Sequence, residues 1–176
     1  KIWFTSDTHF GAERTLKLSR RPFESVEEMD KVIINNWNNI IGEKDLVYHL
    51  GDFGDYNVVN QLNGKVILVY GNYERASKYS EFDFFDFGFY EVHPSGILVE
   101  EVQPGLFFNM SHEPSKHKPI TESMFNVFGH VHKLQMVKSY GLNVGVDCHD
   151  FKPIDLETVL FYRNPIMNVY DDEVFK

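Results

Sequence analysis

The pattern of apolar and polar positions in the first half of the chain predicts strands separated by helices. The runs KIWFTS, DLVYHLGD and KVILVYGN are short and rich in β-branched and aromatic residues, which is typical of buried strands. Between the first two, Ser25 and Glu28 have the spacing of a capping box, and apolar residues then recur at helical intervals. These positions are Val26, Met29, Ile33, Trp37 and Ile40. We therefore predict a helix lying on a sheet, and a second, short helix over YNVVNQLNG that ends at Gly64.

After residue 88 the pattern changes to a series of strands. The segment FYEVHPSGILVEE predicts a hairpin that turns at Pro94-Ser95-Gly96, and GLFFNMSH and FNVFGHVH predict further strands. GLNVGVD and LETVLFYRN follow. Because helices lead and strands dominate later, we predict a layered α/β domain with two sheets packed face to face. Just before this region, EFDFFDFGFYEV is interpreted as a core-facing helix turn and strand rather than as a surface for stacking a nucleobase.

Composition and charge limit the classes of function. A chain of 176 residues has the size of one domain, so we predict a single domain over residues 1–176. The formal charge of −9 repels polyanions over most of the surface, which disfavours long nucleic acids as partners. Cys148 is the only cysteine, and no apolar run approaches the ~20 residues of a membrane span. We expect a cytoplasmic protein without a membrane partner, and the sequence leaves its oligomeric state open.

Candidate chemistry lies where the predicted strands end. Loops that follow the carboxyl ends of strands commonly collect ligand groups in α/β proteins. Each residue alone has an ordinary explanation, since Asp and Asn favour turns and helix caps and a lone histidine is more often a hydrogen-bonded residue than a ligand. Strand alternation, however, would place His130 and His132 on one face. The full set is Asp7, His9, Asp52, Asn72, His112, His130 and His132.

Seven such residues together indicate a metal centre. Imidazole and carboxylate donors without thiolates suit Mn²⁺, Fe or Zn²⁺ better than Ca²⁺ or an iron-sulfur cluster. Seven ligands exceed the needs of one tetrahedral ion and suit two ions about 3.5 to 4 Å apart that share a carboxylate, an arrangement that clamps in-line displacement at phosphorus. We expect two divalent ions as cofactors, with Mn²⁺ as the first choice and Fe, Zn²⁺ or Ni²⁺ as alternatives.

The order of the motifs resembles that of a known family. SDTHFG, HLGDFG, YGNYE, MSHEP and FGHVH occur in the order and spacing of the calcineurin-like metallophosphoesterases. NVGVDCHDFKPIDLETV resembles the closing strand and loop of small bacterial and phage members. The resemblance covers nearly the whole chain. It implies an α/β fold of the four-layer αββα type, with two mixed β-sheets flanked by helices.

The resemblance also implies roles for individual residues. Asp7, His9 and His132 would hold the first metal, Asn72, His112 and His130 would hold the second, and Asp52 would bridge them. The implied reaction is hydrolysis of a phosphoester by a hydroxide that bridges the metals, with Asp52, Asn72, Tyr73 and His112 as catalytic residues. Asn72 and Tyr73 would also contact the substrate.

Basic residues near the ligand loops are candidates for phosphate contacts. Arg14, Arg20 and Arg21 follow the first ligand loop and could reach a phosphate or form a solvated basic segment. Lys116 follows His112 in a loop that is expected to border the pocket. We count Arg14 and Lys116 among the predicted substrate contacts. His49, on the strand before Asp52, is predicted to be a buried histidine.

Tyr73 is the departure from the family pattern, because relatives usually have a histidine there that helps protonate the leaving oxygen. A phenol with a pKa of ~10 is a poor acid near neutral pH but still donates a hydrogen bond. In one reading the chain is a phosphodiesterase, which we favour. In a second interpretation, another group supplies the proton, and the candidates are His117, His149 and Tyr73 itself. In a third interpretation, the chain is a metal-binding interaction module with little turnover. A phosphomonoesterase and a short-oligonucleotide nuclease remain alternatives, so the expected substrate is a phosphorylated small molecule or a nucleotide.

Overall fold

A computed structural model describes residues 1–175, and within this range the chain forms ten strands and five α-helices. The strands are β1 Ile2–Thr5, β2 Leu46–His49, β3 Lys65–Val69, β4 Glu91–His93, β5 Ile97–Gln103, β6 Leu106–Ser111, β7 Met124–Phe128, β8 Val137–Lys138, β9 Gly141–Asn143 and β10 Ile154–Asp155. The helices are α1 Glu13–Leu18, α2 Val26–Ile40, α3 Asn72–Ala76, α4 Glu81–Phe87 and α5 Leu156–Asn168. Short 3₁₀ helices cover Tyr56–Gln61, Pro114–Lys116 and Val146–Cys148.

The strands form two five-stranded mixed sheets. The first has the order β10-β1-β2-β3-β4, with β1 to β4 parallel and β10 antiparallel to β1. The second has the order β5-β6-β7-β9-β8, in which β6, β7 and β9 are parallel while β5 and β8 pair antiparallel with their neighbours. Two mixed sheets flanked by helices confirm the predicted α/β fold class.

The first sheet is buried on both faces. Side chains alternate along β3, so Val66 and Leu68 pack in one apolar cluster with Trp37 of α2, whereas Ile67 and Val69 pack in a second cluster between the sheets. From the second sheet, this second cluster contains Leu98, Leu106, Phe108, Met110, Phe125, Val127 and Leu142. A nearly continuous apolar run such as KVILV is typical of a strand buried in this way. The sheets therefore pack face to face, as predicted.

Helix α2 begins as the sequence predicts, with one difference in its cap. Ser25 Oγ accepts a hydrogen bond from Glu28 N–H at 3.1 Å, but the Glu28 carboxylate accepts from Glu24 N–H at 2.7 Å instead of from Ser25 N–H. Only half of the predicted capping box is therefore present. The second predicted helix is a 3₁₀ helix that ends at Gln61, before Gly64.

The predicted hairpin at Pro94-Ser95-Gly96 is wrong. Strand β4 pairs in parallel with β3 in the first sheet, whereas β5 pairs antiparallel with β6 in the second. The turn therefore carries the chain from one sheet to the other instead of joining two neighbours. A tight turn between two apolar runs looks the same in sequence in both cases, since the pairing partners lie elsewhere in the chain.

Two further segments differ from the sequence prediction. LETVLFYRN, grouped with the later strands, begins helix α5, whose buried Val159 and Ile166 join the cluster between the sheets. In the aromatic stretch, Phe84 and Phe89 are buried as predicted, but Phe82 is 81% exposed. Residues 81–87 are helical, so adjacent aromatic residues point in different directions and cannot all face the core. In the described part of the chain, every helix is too short or too polar to cross a membrane.

Candidate metal centre

The seven predicted ligands come together at one edge of the two sheets. They lie just after β1, β2, β3, β6 and β7, whose carboxyl ends meet there, and Asn72 is the first residue of α3. Their potential ligand atoms form two groups, each with its atoms within 4.8 Å of one another: Asp7, His9 and His132 in the first, and Asp52, His112 and His130 in the second. Asn72 Oδ1 adjoins the second group, 2.9 Å from His112 Nε2.

Asp52 lies between the two groups. Its Oδ2 is 3.6 Å from His9 Nε2 in the first group and 3.3 Å from His112 Nε2 in the second. Asp7 Oδ1 is 3.6 Å from both His9 Nε2 and His132 Nε2, and 4.0 Å from His112 Nε2. Asp52 Oδ2 is thus within 3.6 Å of an imidazole in each group, whereas Asp7 Oδ1 is closer to the first group, which is the arrangement expected if Asp52 is the bridging carboxylate.

Backbone groups fix the two carboxylates so that one oxygen of each faces the centre. Asp7 Oδ2 accepts a hydrogen bond from His130 N–H at 2.9 Å, and Asp52 Oδ1 accepts one from Tyr73 N–H at 3.0 Å. In contrast, Asp7 Oδ1 and His9 Nε2 are buried without a hydrogen-bond partner among the described residues. Buried polar atoms normally have a hydrogen-bond partner. Two potential metal-ligand atoms that lack one and lie 3.6 Å apart therefore fit a divalent ion between them.

The ligand loops have an unusual backbone conformation. Five of the seven candidate ligands have positive φ angles between 49° and 72°, namely Asp7, His9, Asp52, His130 and His132. Residues other than glycine rarely adopt this left-handed conformation, and such strain persists only where the surrounding structure enforces it. Its concentration at these five positions indicates that the fold holds the side chains in place for a function.

Glycines next to the ligands allow close approach of neighbouring groups. A Cβ atom on Gly71 would lie 2.5 Å from Asp52 Oδ1, and one on Gly129 would lie 2.4 Å from Asp7 Oδ2. Both distances are far below van der Waals contact. These two glycines are therefore required by space, and Gly51 is required both by its φ of 97° and by space, since a Cβ there would lie 2.4 Å from Gly71 N.

Electrostatic interactions within the centre are strong. Burial raises the pKa of Asp7, but the imidazoles of His112, His9 and His132 outweigh it and hold that pKa well below its usual range. Burial lowers the pKa of His112, but the carboxylates of Asp7 and Asp52 outweigh burial and raise it to about 9. A cation in place of these protons would satisfy the same carboxylates, so proton and metal compete for the site.

His49 connects two of the ligand loops. It is fully buried, as predicted, and burial lowers its pKa to about 3, so the ring is neutral. Its Nδ1 accepts a hydrogen bond from Gly51 N–H at 3.2 Å, which leaves the proton on Nε2, 2.9 Å from Thr8 Oγ1. Thr8 in turn donates to Phe53 O at 2.8 Å. This chain of hydrogen bonds ties the loop after β1 to the loop after β2.

Glu74, which the sequence analysis did not single out, joins the loops after β2 and β3. Its buried carboxylate accepts hydrogen bonds from Asp52 N–H at 2.6 Å, Gly71 N–H at 2.8 Å, Phe53 N–H at 3.1 Å and the Tyr56 hydroxyl at 3.1 Å. Burial, followed by the nearby Asp52 carboxylate, raises the pKa of Glu74, and the backbone donors oppose that shift. All four contacts use the carboxylate as an acceptor, so an amide at this position would present an N–H group to other donors.

Glu74→Gln should therefore destabilise the fold. We expect the free energy of unfolding to fall by about 2 to 3 kcal/mol, because a buried donor would lose a hydrogen bond to a charged acceptor. Chemical denaturation of the metal-free protein would measure this change. Glu81→Gln, at an exposed position of α4, is the matched control and should change stability by less than about 0.5 kcal/mol. Equal stability of the two variants would contradict the proposed tie between the loops.

A pocket of about 230 Å³ opens onto the candidate ligands. Helix α1 forms one wall with Arg14 and Leu18, and Tyr73, 44% exposed, also lines the pocket. Arg14 Nη1 is 3.5 Å from the Tyr73 hydroxyl, and the Tyr73 ring meets the His9 ring edge to face at 5.2 Å. Arg14 and Tyr73 thus line the pocket that opens onto the candidate ligands.

Other residues weighed as substrate contacts or proton donors lie outside this pocket. Lys116 forms an ion pair with Glu113 at 3.4 Å, so its predicted substrate contact stays a prediction. His117 stacks on Tyr140 at 3.7 Å, and His149 is buried with Nε2 2.7 Å from Asn143 O. Of the three candidate donors, Tyr73 is the one that lines the pocket.

Arg21, weighed as a phosphate contact or a solvated residue, is neither. It is 5% exposed and forms a two-point ion pair with Asp147, whose carboxylate lies 3.2 Å from His132 Nδ1. Asp147 was not among the predicted site residues. No local pattern pointed to the pairing of Arg21 with Asp147, because the two residues meet only through the tertiary fold.

Comparison with known proteins decides the family. The model of the calcineurin-like phosphoesterase superfamily domain matches residues 1–149. The chain belongs to this superfamily. Its members are metal-dependent phosphoesterases, so the family supports a hydrolase that binds divalent metals, and the two groups of candidate ligands agree with that assignment.

Similar proteins come from archaea, bacteria and phage. The uncharacterized protein MJ1445 of Methanocaldococcus jannaschii is 27% identical, in an alignment that covers 91% of this chain and 89% of the relative. The Gene 66 protein of Mycobacterium phage L5 is 31% identical over 41% of this chain and 39% of its own length. The crystal structure of AQ665, a protein of unknown function from Aquifex aeolicus, has a TM-score of 0.71 and 26% identity, covering 92% of this chain and 98% of that one.

Proposed function

We propose that this calcineurin-like phosphoesterase is a dinuclear metal-dependent phosphodiesterase, with Mn²⁺ as the metal to supply first. The observation that carries the proposal is the position of Asp52, whose Oδ2 faces His9 on one side and His112 on the other. Asp7, His9 and His132 would hold the first ion. Asn72, His112 and His130 would hold the second. Bound there, two divalent ions would activate water and neutralise charge on the phosphoryl oxygens.

The residues of the chain have separate roles in this proposal. Arg14 and Tyr73 would bind and orient the phosphoester in the pocket, since both line it and Arg14 Nη1 lies 3.5 Å from the Tyr73 hydroxyl. Asp52 keeps its orientation through Tyr73 N–H, so the residue that faces the substrate and the residue that bridges the metals are linked. His112 keeps its Nδ1 bound to Leu50 O at 2.8 Å, which directs Nε2 into the centre.

Two features of the pocket favour a diester over a monoester. Arg14 is the one lysine or arginine among the described residues that line it, and a diester carries one negative charge where a monoester carries up to two. Tyr73 takes the usual position of a catalytic histidine, and a phenol is a much weaker acid than an imidazolium near neutral pH. A leaving group that needs full protonation would therefore be expelled slowly.

The test is hydrolysis of a nitrophenyl phosphodiester and the matching nitrophenyl phosphomonoester with Mn²⁺, side by side. We expect turnover of the diester that requires metal and exceeds turnover of the monoester. Equal or faster monoester hydrolysis would overturn the diester preference and indicate a phosphomonoesterase. If two metals bind but neither substrate is hydrolysed, the proposed enzymatic function would be wrong, and the result would indicate a metal-binding interaction module.

Short oligonucleotides are the second substrate to try, because their internal bonds are phosphodiesters. The net charge of −9 opposes long strands, whereas a short one needs only the local field of the metals and Arg14. Cleavage of short single strands that falls steeply with salt would identify a nuclease activity. Cleavage that is insensitive to salt would speak against electrostatic recognition of the strand.

A further inference from the structure

Arg21 and Asp147 form a buried ion pair behind the first group of candidate ligands. Arg21 Nε donates to Asp147 Oδ1 at 3.0 Å and Arg21 Nη2 donates to Asp147 Oδ2 at 2.9 Å. The side chains are 0% and 2% exposed. Arg21 also donates to two backbone carbonyls of the first ligand loop, Asp7 O at 2.6 Å and Thr8 O at 2.9 Å. The pair is therefore part of the support of the ligand loop rather than a surface salt bridge.

The Asp147 carboxylate also contacts His132. Its Oδ2 lies 3.2 Å from His132 Nδ1, and Ser19 Oγ lies 3.0 Å from the same nitrogen. The other ring nitrogen, Nε2, is 3.6 Å from Asp7 Oδ1 in the first ligand group. The imidazole thus has one nitrogen against a carboxylate and a hydroxyl, and the other directed into the centre.

Among residues 1–175, no carboxylate faces Nδ1 of His112, the buried histidine of the second ligand group. His112 Nδ1 faces a neutral acceptor, Leu50 O, at 2.8 Å. A carboxylate behind a ligand histidine fixes the tautomer and makes the other nitrogen a better donor than a neutral acceptor does. The two groups therefore differ in how their histidines are held.

We propose that Asp147, held by Arg21, is a positioning residue for His132. It keeps the ring proton on Nδ1 and thereby directs the unprotonated Nε2 to the first metal, while Ser19 completes the contact. This rests on the dinuclear centre proposed above. Loss of the carboxylate should weaken binding of the first metal about 10- to 100-fold, the usual range for such supporting groups, and leave the second metal little changed.

A Mn²⁺ titration of Asp147→Asn against the unmodified protein tests this, with electron paramagnetic resonance to separate coupled pairs from single ions. We expect two ions in the unmodified protein. In the variant we expect one ion of unchanged affinity with a single-ion spectrum, and a second that binds about 10- to 100-fold more weakly. Asp150→Asn removes an exposed carboxylate three residues away and should leave both affinities unchanged. Ser19→Ala should have a smaller effect than Asp147→Asn.

The decisive result is whether the substitution weakens the affinity for one ion much more than the affinity for the other. Asp147→Asn leaves Arg21 buried without its charged partner and is expected to destabilise the fold. An effect through folding alone would weaken both ions alike, and that result would overturn the proposal. So would unchanged binding in Asp147→Asn, or fewer than two ions in the unmodified protein. Because the titration measures binding rather than hydrolysis, two bound ions without turnover would overturn the proposed enzyme and leave this inference standing.

A second measurement does not depend on any variant folding. In the unmodified protein loaded with Zn²⁺, ¹⁵N nuclear magnetic resonance of the histidine side chains should show His132 with a proton on Nδ1 and none on Nε2. A proton on Nε2 would overturn the proposal directly. Ser19→Ala should keep the same tautomer, because the Asp147 carboxylate remains in place.

Discussion

Asp52→Asn should lower kcat/KM for the phosphodiester by about a thousandfold or more. The substitution keeps Oδ1, which accepts from Tyr73 N–H, and replaces Oδ2, which faces His9 and His112, with an NH₂ group. An amide NH₂ group at that position cannot coordinate two cations. Metal stabilisation of the reacting phosphoryl group is worth several kcal/mol, and each 1.36 kcal/mol corresponds to a tenfold change in rate.

A matched variant separates the loss of the bridge from a general loss of charge. Asp55→Asn lies three residues further on at an exposed position, where its side chain caps a 3₁₀ helix by accepting from Asn57 N–H at 3.1 Å. Asparagine is also a good cap, so stability and rate should stay near those of the unmodified protein. Metal content is measured on both variants. Asp52→Asn with activity within tenfold of the unmodified protein would refute the bridging role.

The location of the centre could be predicted because it follows from strand order. Asp7 and His132 are 125 positions apart in the chain and follow strands of different sheets, β1 and β7, yet both lie in the polar segments after the carboxyl ends of buried strands, where α/β proteins commonly collect ligand groups. Each ligand motif is local and contains its own turn. The seven residues could therefore be grouped as candidates from their positions after strands, whereas the face-to-face packing of the two sheets brings the ligands of one sheet against those of the other.

Residues that support the ligands could not be predicted in this way. Asp147 lies in a 3₁₀ helix after β9, and Arg21 lies between α1 and α2, so the pair forms only when the fold brings these segments together. Glu74 is the last residue of the motif YGNYE, but a glutamate in the first turn of a helix is common in sequences and does not by itself indicate a supporting role. The prediction of a hairpin at Pro94-Ser95-Gly96 failed for the same reason, because the sequence of a turn does not determine which strands pair with each other.

Tyr73→His should raise hydrolysis of phosphomonoesters, most of all those with poor leaving groups. The side chain lines the pocket beside Arg14, where an imidazolium could donate a proton to the leaving oxygen. A well-placed general acid contributes ~10²- to 10⁴-fold, which sets the upper limit of the gain. The backbone N–H that holds Asp52 is unchanged by the substitution, so the metal centre should stay intact.

The pH dependence of the gain identifies its cause. Only the protonated imidazole acts as an acid, so the added monoesterase rate should fall as pH rises through its pKa, ~6.5 when unperturbed, with Arg14 nearby favouring a lower value. Tyr73→Phe is the companion variant, since it keeps the ring and removes the hydroxyl. If Tyr73 only contacts the phosphate, Phe should weaken diester binding without adding monoester turnover. A Tyr73→His protein that binds two metals and shows no gain at any pH would mean that a missing acid is not what limits monoester hydrolysis.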